Sequence, residues 1–243
     1  MKEAQRLNVF ISSSGYCSRR KADELIAAQK VIVNSEIATI GTRVLSSDTV
    51  IVEGNLIRHT QDRIVLVYYK PIGISSTTDP NDKSNVISTL KYPQRIFPIG
   101  RLDKDSEGLL LLTNDGDLVN EILRSENNHE KEYLVKTKRP FEDAFLVKLS
   151  EGIQIYNPVS NSYVVTKKCE VKRVDPQHFR IILTQGYNRQ IRRMVSALDH
   201  QVVYLKRTRI MDITLGTLKK GSYRILSPSE LSKLDQALKK TTP

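Results

Sequence analysis

The segment Gly100-Arg101-Leu102-Asp103-Lys104-Asp105-Ser106-Glu107-Gly108 holds three carboxylates and Arg101 between two glycines, and the apolar run Leu109 to Leu112 follows at once. The run reads as a buried strand, and Thr113-Asn114-Asp115-Gly116 as the turn that ends it. Acids held against a buried strand are costly unless a cation, a metal or a substrate compensates them. A calcium loop is the first alternative, but the D-x-D-x-E spacing lacks the glycine and distal glutamate that such loops require. His59, His129, His178 and His200 form no ligand-spaced pair. There is no G-x-x-x-x-G-K-[ST] loop for a nucleoside triphosphate and no G-x-S-x-G elbow for a serine nucleophile. What remains is a carboxylate acting as nucleophile or general base, kept ionised by arginines nearby.

Cations are plentiful. The chain carries a formal net charge of +11 over 243 residues, which points to a polyanionic partner, most commonly nucleic acid. Their distribution is more telling than their number. Arg189, Arg192 and Arg193 recur at i, i+3, i+4 beside the apolar stripe Ile191, Met194, Val195 and Leu198, so a helix would set three guanidinium groups on one flank. Lys206, Arg207 and Arg209 follow, alternating with Leu205, Thr208 and Ile210. Between Arg189 and Arg209 the one acid is Asp199, whereas a solvated helix usually intersperses carboxylates. Phosphate contact is the expectation for this stretch.

The elements that must position these groups are short. Leu7, Phe10 and Ile11 mark a first helix. Ser18 suits the N-cap of a second, which turns Ala22, Leu25 and Ile26 inward. Arg19, Arg20 and Lys21 sit in its first turn against the helix dipole, either as a solvated face or in contact with phosphates; the awkward placement favours phosphates. Strands are expected at Val31–Val33, Val44–Leu45 and Thr49–Val52, then a polar connector over Asn55–Asp62. Beyond it, Ile64–Tyr69, Glu130–Val135, Thr166–Lys172 and Phe179–Leu183 read as strands, and Gly116–Leu123 and Phe141–Leu149 as helices. Tyr133, alone in its strand, is either an ordinary packed aromatic or a platform for an unpaired base. Cys17 and Cys169 lie in no paired motif, which fits a reducing cytosol. No run approaches the ~20 apolar residues of a membrane span, and the N-terminus reads as no secretory leader.

Residues 5 to 57 resemble the S4 RNA-binding domain in the order of their elements. The motif GRLDKDSEGLLLLTNDG resembles the segment that holds the family aspartate of RNA pseudouridine synthases, in the group that modifies the small and large ribosomal RNAs. Tyr68-Tyr69-Lys70-Pro71-Ile72-Gly73, Lys131 to Val135 and Gly186 to Met194 resemble that group's other motifs in the right order. HEKEYLV, VTKKCEV and RTRIM are most similar to the F branch of the large-subunit enzymes. The resemblance implies an α+β chain: an S4-like domain over residues 5–60, then a catalytic domain over 62–235 built on a mostly antiparallel sheet with flanking helices. It implies Asp103 as the group acting at C1′ of the uridine, by direct attack or by assisting glycal formation. Tyr133 would stack on the base, and Arg192 would pair with Asp103. Arg101 would contact the RNA backbone or fill the gap left by the extruded base. No cofactor or metal is implied. The expected partner is RNA, 23S ribosomal RNA first and transfer RNA second, met by a monomer in the cytoplasm. A non-catalytic S4-type assembly factor is the competing expectation, and it would not need Asp103, Tyr133 and Arg192 together.

Overall fold

A computed structural model describes residues 4–57, 63–124 and 128–239. The described residues up to 64, with 92–96 and 114–116, form one unit, and the rest form a second.

The first unit begins with β1 (Gln5–Arg6), α1 (Leu7–Ser13) and α2 (Arg19–Ala27). Leu7, Phe10 and Ile11 are buried, as their spacing requires. The Ser18 side chain accepts from the Lys21 amide and caps α2, which buries Ala22, Leu25 and Ile26. Strands β2 (Val31–Val33), β3 (Glu36–Ile37), β4 (Arg43–Val44), β5 (Val50–Val52) and β6 (Asn55–Ile57) follow. They form an antiparallel sheet in the order β3-β2-β5-β6, while β4 pairs with β1. The expected connector therefore starts later than Asn55, because Asn55–Ile57 pairs with Val50–Val52. Its remainder, 58–62, and with it His59, lies outside the described residues.

The second unit contains β7 (Val65–Lys70), α3 (Val86–Leu90), β8 (Phe97–Ile99), β9 (Glu107–Thr113), α4 (Gly116–Leu123), β10 (Lys131–Thr137) and α5 (Asp143–Glu151). Then come β11 (Gln154–Asn157), β12 (Ser162–Val165), β13 (Glu170–Arg173), β14 (His178–Leu183), α6 (Gln190–Ser196), β15 (Val202–Ile210), β16 (Ile213–Thr214), β17 (Tyr223–Ile225) and α7 (Pro228–Lys239). A nine-stranded sheet runs β13-β14-β10-β15-β9-β7-β17, with β16 beside β15 and β8 beside β9. Every pairing in it is antiparallel except β9 with β15, so the mostly antiparallel α+β expectation holds. At that parallel seam Gly108 faces Arg207 with φ +113, and a Cβ there would lie 2.3 Å from the Arg207 carbonyl oxygen. Only glycine permits so close an approach.

Val67, Leu109 and Leu111 pack with Leu118 and Ile122 of α4 and with Leu234 and Leu238 of α7. A second core joins Val135, Phe179 and Ile181 to Phe145 of α5 and to Ile191 and Met194 of α6. Two boundaries differ from the sequence expectation. The expected domain limit at 235 falls inside α7, which continues to Lys239 with Leu238 completing its buried stripe. The strand expected at Thr166–Lys172 begins only at Glu170, since Val165 closes a separate hairpin, β11 with β12.

Candidate active site

The acidic loop between β8 and β9 is braced from below by backbone contacts. The Leu102 amide donates to Ser76 Oγ at 3.1 Å, and that hydroxyl donates back to the Leu102 carbonyl at 2.9 Å. The Gly73 amide donates to the Lys104 carbonyl at 2.7 Å, which ties the turn after β7 to the same loop. Buried Leu102 anchors it, and the Asp103 side chain on its rim keeps 28% exposure. A carboxylate so held is fixed in direction yet open to a ligand.

The three expected arginines part company. Arg189 is not on the helix: it is the residue preceding α6, with a left-handed backbone at φ 51. From there its Nη1 and Nη2 donate to Asp105 Oδ1 and Oδ2 at 3.1 and 2.9 Å, a two-pronged pair. Its Nη1 also lies 3.5 Å from Asp103 Oδ2. Arg192, expected to pair with Asp103, instead donates through Nη2 to the Asp105 carbonyl at 3.0 Å and to Ser106 Oγ at 3.2 Å, and through Nη1 to the Val202 carbonyl at 3.2 Å. Its ionic contact is with Asp105 Oδ2 at 3.3 Å. The cause is the left-handed residue before α6, which swings Arg189 over the loop and leaves Arg192 beneath it. The hydrogen bonds from Arg189, with the charge of Arg192 behind them, hold the Asp105 carboxyl below the usual carboxylate range, although partial burial opposes them. Arg193 turns the other way, donating to the Asn188 carbonyl at 3.0 Å and to the Tyr156 carbonyl of β11 at 3.0 Å.

Arg207 also departs from expectation. It is 3% exposed, so it is no surface contact for phosphate. Its Nε donates to the Leu109 carbonyl at 2.7 Å and its Nη1 to the Arg101 carbonyl at 3.4 Å, while Nη2 is buried with no hydrogen-bond partner. In register it stands opposite Tyr133 of β10, which brings Tyr133 beside the strand seam that supports the Asp103 loop. Lys70 is fully buried at the end of β7, and burial pushes its amine down to about 8, against the pull of the Asp103 charge. Burial, aided by Arg207, likewise pushes Lys131 down to about 8. Lys70 is thus a buried cation in the field of Asp103, the acid of the loop that no close ion pair holds. Lys70 was legible as a strand end, but nothing in the sequence distinguished it from a surface lysine.

Glu107 belongs to a different network on the opposite side of β9. Its Oε1 accepts from the Tyr69 hydroxyl at 2.7 Å and the Tyr204 hydroxyl at 2.8 Å, and Lys220 Nζ lies 2.6 Å from Oε2. Oε2 has close charge contact without a well-directed hydrogen bond. Burial would raise the Glu107 carboxyl, and the lysine and two hydroxyls more than reverse that.

The remaining basic positions differ in availability. Arg101 is exposed, as are Arg19 and Arg20 on α2, while Lys21 pairs with Glu24 at 2.9 Å. Arg209 is neutralised by Glu130 at 3.0 Å and Glu132 at 3.3 Å. The scarcity of acids between Arg189 and Arg209 was thus misleading: the carboxylates come from the loop before β9 and from the start of β10. Among the described residues, no group of three or more His, Cys, Asp or Glu is placed to hold a metal ion, and no helix is long and apolar enough to cross a membrane.

An aspartate on a braced loop before β9, an arginine and a buried lysine near it, and a tyrosine on β10, two strands from β9, agree with what the whole chain resembles. Residues 64–197 match the RNA pseudouridylate synthase family, and residues 5–50 match the S4 domain. The chain belongs to the RNA pseudouridylate synthase family, which sides with the enzyme over the assembly factor. Dual-specificity RNA pseudouridine synthase RluF of Escherichia coli strain K12 is 47% identical over 228 residues, covering 93% of this chain and 77% of that protein. Ribosomal large subunit pseudouridine synthase B of Bacillus subtilis is 35% identical over 233 residues, covering 95% of both. A pseudouridylate synthase crystal structure superimposes with a TM-score of 0.68 at 30% identity, covering 95% of this chain and 99% of that one. The resemblance to the F branch is borne out by the first of these.

Proposed function

We propose that the chain isomerises uridine to pseudouridine in structured 23S ribosomal RNA, with Asp103 as the reacting carboxylate. The observation that carries the reading is the placing of Asp103: 28% exposed on a braced loop, 3.5 Å from an arginine. Ribosomal RNA is supported by the large-subunit name of the Bacillus relative, and a second substrate class, transfer RNA, is the natural test of the dual specificity named for the Escherichia relative. The S4 domain supplies a further RNA grip, and the protein acts as a cytoplasmic monomer.

The target base must first leave its stack. Tyr133 then receives it by stacking, and Asp103 acts at C1′, directly or by assisting glycal formation. The C1′–N1 bond breaks and the freed uracil turns. C5 bonds to C1′, the C5 proton is released, and N1 takes up a proton. Nothing is oxidised or donated, so the balance needs no cofactor. Arg189 aims the carboxylate while Arg192 holds the loop. The buried cations Lys70 and Arg207 stabilise negative charge on Asp103 and on the departing base. Release of tritium from RNA labelled at uracil C5 tests this reading. Asp103→Ala should abolish release while RNA binding persists, and undiminished release by that variant would overturn the assignment.

A further inference from the structure

The hairpin β11–β12 stands apart from the rest of the surface. From Gln154 to Val165 it carries no charged residue, in a chain that is 27% charged. The register places Ile155 opposite Val164 on the face that packs against the second core, and Tyr156 opposite Tyr163 on the other face, flanked by Gln154 and Val165. That other face is open: Tyr163 is 70% exposed, and Val159 at the turn 82%. An ordinary solvated strand of this protein looks different, as Glu-Val-Lys-Arg of β13 shows. Scattered exposed apolar residues need no explanation, but two tyrosines and two valines gathered on one small hairpin do.

The rings are also preorganised. Tyr156 and Tyr163 meet edge to face, with centroids 5.6 Å apart and planes at 65°. The Tyr156 hydroxyl donates to Asn161 Oδ1 in the turn. The hairpin is fastened to α6 by Arg193, which donates to the Tyr156 carbonyl. Its neighbour Arg192 braces the Asp103 loop. Successive arginines of one short helix thus fix the tyrosine pair and the reacting carboxylate in a common frame. The chain leaves the hairpin through exposed Lys167 and Lys168, with exposed Lys172 on β13. An uncharged aromatic platform next to cations suits an unpaired nucleotide: the π-face takes the base and the lysines take its phosphates.

We propose that the Tyr156–Tyr163 face of this hairpin is a second RNA subsite, stacking an unpaired base of the substrate next to the modified uridine. The proposal rests on the RNA-modifying function proposed above, and its measurement is arranged to stand apart from catalysis. Binding of a short single-stranded oligoadenylate, followed by fluorescence anisotropy, should weaken about tenfold in Tyr163→Ala, the low end of what one base–aromatic stack contributes. Tyr163→Phe keeps the ring and should bind within about twofold of wild type, whereas Tyr163→Leu keeps apolar area without a ring and should bind like the alanine variant. On a 23S ribosomal RNA transcript, Tyr163→Ala should raise KM and leave kcat nearly unchanged. Unchanged affinity and KM in Tyr163→Ala would overturn the subsite, as would full binding by Tyr163→Leu. A wild-type dimer in sedimentation that Tyr163→Ala converts to a monomer would assign the face to a second copy of the chain and overturn it too. A wild-type protein that binds oligoadenylate through Tyr163 but releases no tritium would refute the isomerase and leave the stacking site standing.

Discussion

Arg189→Ala removes the nearest cation to Asp103 while the loop stays braced by Arg192. The Nη1–Oδ2 separation of 3.5 Å corresponds to ~5 kcal/mol at an effective dielectric constant of about 20, and to ~1 kcal/mol in bulk water. Both side chains are partly solvated, at 41% and 28% exposure, so the lower part of that range applies. A loss of ~1–2 kcal/mol in the reacting complex means kcat/KM falling about 5- to 30-fold. Folding should hardly notice, because exposed ion pairs contribute little to stability.

Arg192→Ala should do the reverse in kind. Its guanidinium is only 14% exposed and holds the Asp105 carbonyl, Ser106 Oγ and the Val202 carbonyl. Losing those contacts from a charged donor costs about 2–4 kcal/mol and should lower Tm by at least about 5 °C. Single-turnover tritium release and thermal melting monitored by circular dichroism separate the two variants. Arg189→Lys, which retains charge but not the two-pronged geometry, should fall between wild type and Arg189→Ala in rate. A wild-type rate in Arg189→Ala, with a normal Tm and lost rate in Arg192→Ala, would refute the reasoning and restore Arg192 as the partner of Asp103.

Glu107→Ala leaves the buried Tyr69 hydroxyl, the part-buried Tyr204 hydroxyl and half-exposed Lys220 without their acceptor, so urea unfolding, read from tyrosine fluorescence, should show a loss of about 2–4 kcal/mol; a loss under ~1 kcal/mol would show that the network contributes little to stability. Because the folded Glu107 carboxyl lies below its unfolded value, its contribution is present above the unfolded pKa of about 4.3 and disappears as pH falls through the folded one, and Glu107→Gln should flatten that acid limb. Lys70 should titrate near 8 in lysine-selective NMR, and Asp103→Asn should lower its pKa further by removing the charge that supports the ammonium; an upward shift would contradict their proximity. Binding of ribosomal RNA should weaken steeply with salt, and Arg20→Ala, on the exposed first turn of α2, should reduce the slope of log Kd against log salt by about one; an unchanged slope would remove Arg20 from the interface.

The sequence carried the fold further than it carried the site. Apolar periodicity found α1, α2, α4, α6 and most of the central strands, because burial of one face is a local pattern. Motif order singled out Asp103 and Tyr133 as the residues to propose for the reaction. What it could not supply was pairing between distant elements. A stripe at i, i+3, i+4 presumes helix throughout, and Arg189 breaks that presumption with a single left-handed residue. Arg209 looked unopposed because Glu130 and Glu132 lie about eighty residues away in sequence and one strand away in space. Arg207 sits in an alternating segment either face of which could have been the wet one. The β11–β12 hairpin was not anticipated, although the turn residues Asn157-Pro158 and Ser160-Asn161 between two β-branched and aromatic runs mark it.

Three acids within five residues now have three separate explanations. Asp105 is consumed by Arg189 and Arg192, and its depressed pKa follows from that pairing. Glu107 is buried within a tyrosine and lysine cage on the other side of β9. Asp103 meets its arginine at 3.5 Å, beyond a short charge-assisted hydrogen bond, so of the two solvent-accessible acids it is the one that no close ion pair holds. The spent acids are what make the remaining one usable. Asp105 draws Arg189 to the loop, so that a cation stands beside Asp103 without being locked onto it, and Glu107 fixes the strand from which the loop springs. A carboxylate clamped by two arginines would be stable and unavailable; one with none nearby would be poorly aimed. The loop reaches the intermediate state by giving its strongest ion pair to the neighbour.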